Sequence, residues 1–536
     1  MFANKKSLLA LSVASALTLT GCFSDDDNNV VVEPPVTPTD PVVVAPTAPA
    51  ELGLVVNANV VDAVTTNVVN AKISFLENGQ EATNIVDANG NQLKVVDAAN
   101  GNVVFTKKAD SEITEVTLSV TADGYIGKSF IVDLTAAEGV SSIAAQLALT
   151  LANGPGVKTV VETVGAVGGS TSTEVKAEST GKTGAGASIP AGTQLLDAAG
   201  NAISGELSLN VSGADSTSGA AAAIVPAGLN AADAASTAKS AGVANIIMAD
   251  ANGNKVKSFG DSEITVTMAI PADTMQNGAA IQTGDTLKLK SHNEDTGVWA
   301  DETNVVTIGA LDGDSNTFTG TFQTKHLTFF TSTVDITPCT SDISLNVSGD
   351  AVPAGGLYVQ FASSDASANS FIAAGSTATT LISAEKAKRF GISADAKASV
   401  SIVDVNGTEW FNSNGEVDVC GAVTATLVNP VAQPVSENFT VTATCSDGTT
   451  VDMSNAVVTY GLAGKAQSIA ASAGNGAFAL ANMVPATTAT YTVAVDARIP
   501  LDNGTTMATG PITVTPDGTA ESLPLTADCG DLTGAN

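Results

Sequence analysis

Three adjacent residues, His326, Leu327 and Thr328, are of the types and in the order that self-cleavage of a peptide bond requires. The Thr328 hydroxyl sits next to the Leu327 carbonyl, and His326 can take its proton as general base. Attack on that carbonyl gives an ester that water opens. The backbone must be kinked there, and the apolar alternation does slip. Phe318, Gly320 and Phe322 share one parity and Leu327 and Phe329 the other, as a bulge or turn would cause. The competing reading, which is preferred, is that His326 caps a polar strand edge in a domain that never cuts itself.

Little else offers chemistry. His292 and His326 are the only histidines, which argues against a zinc hydrolase with several histidine ligands. No Gly-x-Ser-x-Gly elbow, phosphate-cradling glycine loop or Cys-x-x-Cys pair is present. Carboxylates are plentiful, but no two stand out as an acid/base couple. Asp312-Gly313-Asp314-Ser315-Asn316 begins like a calcium loop, with Asp312, Asp314 and Asn316 as candidate ligands. Thr317 stands where the sixth-place glycine belongs and Gln323 where the closing glutamate belongs, so a hairpin turn is expected and weakly bound Ca2+ is the only cofactor to consider. Asp87-Ala88-Asn89-Gly90-Asn91 and Asp250-Ala251-Asn252-Gly253-Asn254 are likewise expected to be turns. Trp299 and Trp410 are expected to pack in a core or at an edge rather than to stack on sugars.

The elements that must position these residues are β-strands. The chain has 536 residues, 44% of them hydrophobic but only 4% aromatic, with 49 glycines and 19 prolines. An apolar content built mostly of Val and Ala, alongside many Thr and Gly, favours short strands joined by tight turns. The formal charge is −32. A surface this acidic repels nucleic acid and anionic headgroups. Past the N-terminal leader, no apolar run reaches the about 18 residues that a membrane-spanning helix needs.

The N-terminus reads as an export signal. Lys5 and Lys6 form a basic head, Leu8 to Leu19 an apolar core, and small residues lead to Cys22. Removing residues 1–21 takes the charge to −34. Leu19-Thr20-Gly21-Cys22 resembles the bacterial lipobox, which implies that Cys22 begins the mature protein and carries lipid such as palmitate. The aspartates start only at Asp25, with Phe23 directly after the cysteine. In lipobox families that pattern implies onward transport to the outer membrane, with the protein facing either the surface or the periplasm. Residues 22–50 then read as a disordered tether, rich in Pro, Thr, Val and Asp, that would stand in extended polyproline geometry.

Tandem β-sandwiches are expected behind the tether. Residues 51–152 contain short strand candidates separated by Asn78-Gly79, Asn89-Gly90, Asn100-Gly101 and Asp123-Gly124. With Ala71-Lys72-Ile73-Ser74-Phe75 and Ala122-Asp123-Gly124-Tyr125-Ile126, the block resembles the carboxypeptidase-regulatory-like (transthyretin-like) sandwich. Residues 153–183 read as a linker or an edge strand. Residues 184–335 open on Ile189-Pro190-Ala191-Gly192-Thr193 and close on Lys325-His326-Leu327-Thr328-Phe329-Phe330, an order similar to the ZU5 and UPA type of β-domain. The Ala-rich run from Leu229 to Val243 is expected to be a short helix or loop inserted there. Residues 336–425 and 426–536 read as two smaller sandwiches, the second again regulatory-like and the first departing further from that pattern.

The five cysteines fit this division. With Cys22 lipidated, Cys339, Cys420, Cys445 and Cys529 remain, an even number in an exported chain. Four cysteines allow three pairings. Sequential pairing, Cys339–Cys420 and Cys445–Cys529, is preferred because each bond would then join the first and last strands of one unit. Closing loops of this length contributes about 4–5 kcal/mol in the chain-entropy model.

The tripeptide at 326–328 resembles the self-cleaving site of GAIN-type domains and of some ZU5–UPA proteins. The cysteine pair and tryptophans that flank the GAIN site are missing. The expected role is therefore binding or structural, without enzymatic turnover: adhesion, matrix attachment or envelope scaffolding. The partners would be the membrane, through the N-terminal lipid, and a surface protein or polysaccharide, but no nucleic acid. A self-processing lipoprotein cut at Leu327–Thr328 and a carbohydrate-binding module array are the alternatives.

Overall fold

The computed structural model describes residues 50–135, 140–231, 234, 236–364, 367–431, 434–445, 448–485, 489–500 and 506–527. The leader, Cys22, the proline-rich segment before residue 50 and Cys529 lie outside these residues. Among the described residues the fold is all-β, with four β-modules in sequence.

The first module is a sandwich. One sheet runs in the order Ile85–Val86, Asn102–Lys107, Val55–Asp62, Ser142–Leu149. The facing sheet runs Gln80–Glu81, Ala71–Glu77, Glu115–Thr121, Lys128–Asp133, with Val95–Ala98 also on Ala71–Glu77. Alternate residues of these strands point inward, and Ile73, Phe75, Phe105 and Leu118 are fully buried between the sheets. Phe75 and Phe105 meet edge to face at 5.2 Å. Asn78 and Gly79 both take positive φ, the backbone that a two-residue hairpin turn requires. The first and last strands lie side by side and parallel, from Val55 opposite Ser142 to Asp62 opposite Leu149.

The third and fourth modules repeat this plan. In the third, Ile343–Gly349 is parallel to Ala422–Leu427. In the fourth, Val435–Cys445 is parallel to Glu521–Ala527. The third module, which departs most from the regulatory-like pattern in sequence, therefore shares the strand arrangement of its neighbours. Cys339, just before its first strand, is disulfide-bonded to Cys420, just before its last, with the Cα atoms 5.6 Å apart.

The central module is different. Eleven strands form one antiparallel sheet in the order Ser170–Thr171, Val157–Val167, Gly205–Ala214, Thr237–Asp250, Phe329–Ile336, Thr286–Asn293, Val298–Asp312, Thr317–Thr324, Ile264–Pro271, Ala185–Ile189, Val175–Glu178. The sheet folds over so that both halves share one core, with Leu209, Ile246 and Phe330 from one half and Val266, Ile270 and Phe322 from the other. Gly242 permits a close approach between the halves: a Cβ there would lie 2.4 Å from Ile270 Cδ1 and 2.7 Å from the Ala269 carbonyl oxygen.

Of the two readings of residues 153–183, linker or edge strand, the strand is found: they supply three strands of the eleven, including both sheet edges. The Ala-rich run is not helical through Val243. The short helix lies earlier, at Gly219–Ile224, where the Ser218 hydroxyl accepts from the Ala220 N–H. Strand Thr237–Asp250 takes over the alanines because it is paired on both sides, with Gly205–Ala214 and Phe329–Ile336. Tertiary pairing overrides the helical preference of alanine. The slip of parity near His326 is neither a bulge nor a turn within one strand. Thr317–Thr324 ends, and the chain crosses to Phe329–Ile336, which has different neighbours.

Candidate functional site

The residues singled out for chemistry are not brought together. The Thr328 hydroxyl is buried and donates to the His292 carbonyl oxygen. His326 is turned elsewhere, with Nδ1 3.2 Å from the Thr324 hydroxyl and Nε2 3.3 Å from a Glu302 carboxylate oxygen. No hydrogen bond joins the would-be base to the would-be nucleophile. Leu327, between them, is buried in the central core. His292, not singled out for any role, proves to be the buried histidine. It packs at 5.1 Å against Trp299, and burial pulls its pKa down to about 4.

The acidic loops are turns. Asp312 accepts from the Asp314 N–H at 3.1 Å and from the Ser315 hydroxyl at 2.7 Å, between the strands ending at Asp312 and beginning at Thr317. Those bonds, the Ser315 hydroxyl first, hold its carboxyl below the usual range. Asp87 accepts from the N–H of Asn89 and Asn91 and from the Asn91 side chain, and Asp250 repeats the pattern with Asn252 and Asn254. Asp197 does the same with Ala199 and Asn201. In each loop the aspartate is spent on its own loop's donors. Among the described residues no group of three or more His, Cys, Asp or Glu side chains is placed to hold a metal ion.

Neither tryptophan forms a platform. Trp410 is 3% exposed, and Trp299 is half-buried with its indole N–H donating to the Ala227 carbonyl at 3.2 Å.

Two features between modules were not read from the sequence. The first is a polar seam. Strand Val55–Asp62 buries Val56, Ala58 and Val60 inward, so Asn57 and Asn59 point away from the first core, yet they are 1% and 0% exposed. The fourth module covers them. Asn57 and Asn59 donate to the Gln467 carbonyl at 2.5 and 3.1 Å, and the Gln467 N–H donates back to Asn59 at 2.9 Å. The Asn102 amide donates to both asparagines, at 2.6 and 3.0 Å. Ion pairs join the third module to the first, and others sit inside the central module. Lys386 pairs with Asp133, and Arg389 with Glu115 at 2.7 Å, joining a short helix of the third module to the first. Lys255 and Lys257 pair with Glu294 at 2.6 and 2.9 Å. Burial pushes the Glu294 carboxyl up, but the two lysines outweigh it and hold the group below its ordinary value. The Glu294 carbonyl in turn accepts from Ser119 of the first module.

The second feature is a cavity of about 940 Å3 where the first, central and third modules meet. Strands Lys128–Asp133 and Ser142–Leu149 form one wall, helix Gly219–Ile224 and the stretch from Val225 to Leu229 another, and strands Ser367–Ile372 and Ala378–Ile382 a third. Its volume lies in the range of small-molecule sites. Val225-Pro226-Ala227-Gly228 lies outside any strand and lines this space. Lys128 stands on the wall, its ammonium donating to the Ala223 carbonyl at 2.6 Å and lying 5.3 Å from the Phe130 ring centroid. Burial pulls its pKa down to about 8. No single stretch of sequence encodes this cavity, because three modules contribute to it.

No protein-family model matches the chain. No curated protein matches it either. Among solved structures it is similar to BcpA, the major pilin subunit of Bacillus cereus, at 11% identity over 88% of this chain and 99% of that one, with a TM-score of 0.13. It is similar to the full-length major pilin SpaD from Corynebacterium diphtheriae at 10% identity over 89% and 97%, with a TM-score of 0.14. It is also similar to the full-length major pilin RrgB from Streptococcus pneumoniae at 9% identity over 88% and 99%, with a TM-score of 0.13. At these TM-scores the chains do not superpose as wholes, so the functional reading rests on the geometry of this chain alone.

Proposed function

We propose that this chain is a lipid-anchored protein of the bacterial outer membrane whose β-modules act by binding or as structure: adhesion, matrix attachment or scaffolding of the envelope. The observation that carries the reading is the interlocking of the modules. Strand Val55–Asp62 is buried on both faces, by its own core and by the fourth module. Ion pairs fasten the first module to the third. Modules locked in this way resist reorientation under load better than modules on free linkers. Cys22, through the lipobox resemblance, supplies the anchor, and the prolines from Pro34 to Pro49 supply reach.

The test is a gene deletion complemented by wild type or by Cys22→Ala, read by surface attachment and by envelope integrity under detergent stress. The reading expects loss of one or both in the deletion and failure of Cys22→Ala to restore them. Unchanged attachment and unchanged integrity in the deletion would overturn it. Protease treatment of intact cells then decides which side of the outer membrane the modules face: digestion places them outside, protection inside.

A further inference from the structure

The junction cavity holds a cation in a strongly acidic protein. Of the lysines on its walls, Lys386 is matched by Asp133, and Lys239 is close enough to Asp395 to lower that carboxyl. Among the described residues, Lys128 has no carboxylate partner; its ammonium meets only a carbonyl oxygen and an aromatic face. A half-buried cation matched only by dipoles is left with part of its desolvation cost uncompensated. A second polar group points the same way: the Ser216 hydroxyl, also on the cavity lining, is buried and lacks a hydrogen-bond partner. The remaining lining supplies apolar surface from Ile131, Val225, Leu229 and Phe371.

We infer that this cavity is a binding site for a small amphiphilic anion, an aliphatic body ending in one carboxylate, with the carboxylate on Lys128 and the body against the apolar wall. The charge sets the end group. A carboxylate completes an ion pair that the described residues leave open, whereas a neutral or cationic head leaves Lys128 uncompensated. A partly desolvated site strengthens that pairing relative to water. The low pKa of Lys128 agrees with a site that lacks a resident counter-charge. This inference does not depend on the anchor or on adhesion.

The test is calorimetric titration of the purified full chain with octanoate, octanol and octyltrimethylammonium. Octanoate is expected to bind at least tenfold more tightly than either of the others. Lys128→Met is expected to remove that preference while leaving octanol binding unchanged, and Lys128→Arg to keep it. Ala222→Trp, which fills the cavity from the helix, is expected to abolish binding of octanoate. Circular dichroism of each variant separates loss of the site from loss of the fold. Equal affinity for octanoate and octanol, an unchanged preference in folded Lys128→Met, or no octanoate binding at millimolar concentration would each overturn the assignment.

Discussion

Replacing Asn59 with alanine tests whether the modules are locked together. The side chain accepts from the Gln467 N–H at 2.9 Å and from the Asn102 amide at 3.0 Å, and donates to the Gln467 carbonyl at 3.1 Å and, at the longer distance of 3.5 Å, to the Tyr358 hydroxyl of the third module. Alanine removes all four. The Gln467 carbonyl keeps Asn57 at 2.5 Å, and the Asn102 amide keeps the Asn57 side-chain oxygen at 2.6 Å. The Gln467 N–H keeps nothing. Leaving one such donor without a partner costs about 1–3 kcal/mol, and the long bond to Tyr358 and the lost bonds to groups that retain a second partner add less. The expected destabilisation is therefore about 2–3 kcal/mol, and it falls on the contact between modules rather than on either core. Guanidinium denaturation gives the magnitude, and hydrogen exchange gives the place. Amides around Gln467 should lose protection, while those of Ile73 and Leu118 in the first core should not. A change below about 0.5 kcal/mol with protection at Gln467 intact would show that the seam does not couple the modules.

Other perturbations have equally definite outcomes. Cys339→Ser with Cys420→Ser should cost about 2–5 kcal/mol and lower the melting temperature of the third module, and dithiothreitol should do the same to the wild type. Gly242→Val should destabilise the central module by about 1–3 kcal/mol, because the added carbons meet Ile270 and the Ala269 carbonyl, as measured by thermal melting. His292, held neutral by burial with a pKa of about 4, gives the unfolded chain the greater proton affinity below pH 6.5. Its contribution is complete above that value and is lost as pH falls to 4, at about 1.4 kcal/mol per pH unit and about 3 kcal/mol in all. Denaturation from pH 7 to pH 4 should show this slope, and His292→Phe should flatten it.

The strands of the first module were legible because alternation and Asn-Gly turns are local signals. The stretch Ala71 to Phe75 falls in the strand Ala71–Glu77, and Asn78-Gly79 turns the chain between it and Gln80–Glu81. What was not legible depends on contacts far apart in sequence. Nothing local marks Asn57 and Asn59 for burial, since the groups that meet them, Gln467 foremost, lie hundreds of positions on. The Ala-rich run read as a short helix or loop because composition carries no information about the strands that flank Thr237–Asp250 on both sides. Lys128 gave no local cue, since the residues that desolvate it come from another module. His326 and Thr328 had the order for chemistry, but a crossover between two strands set their side chains on different partners.

The central claim is a lipid anchor at Cys22, and intact mass with N-terminal peptide mapping of the protein from isolated outer membranes tests it most directly. The account predicts a mature chain that begins at Cys22 and carries covalent acyl groups, and that Cys22→Ala abolishes both. A mature chain beginning at another residue, or beginning at Cys22 without acyl mass, would contradict it.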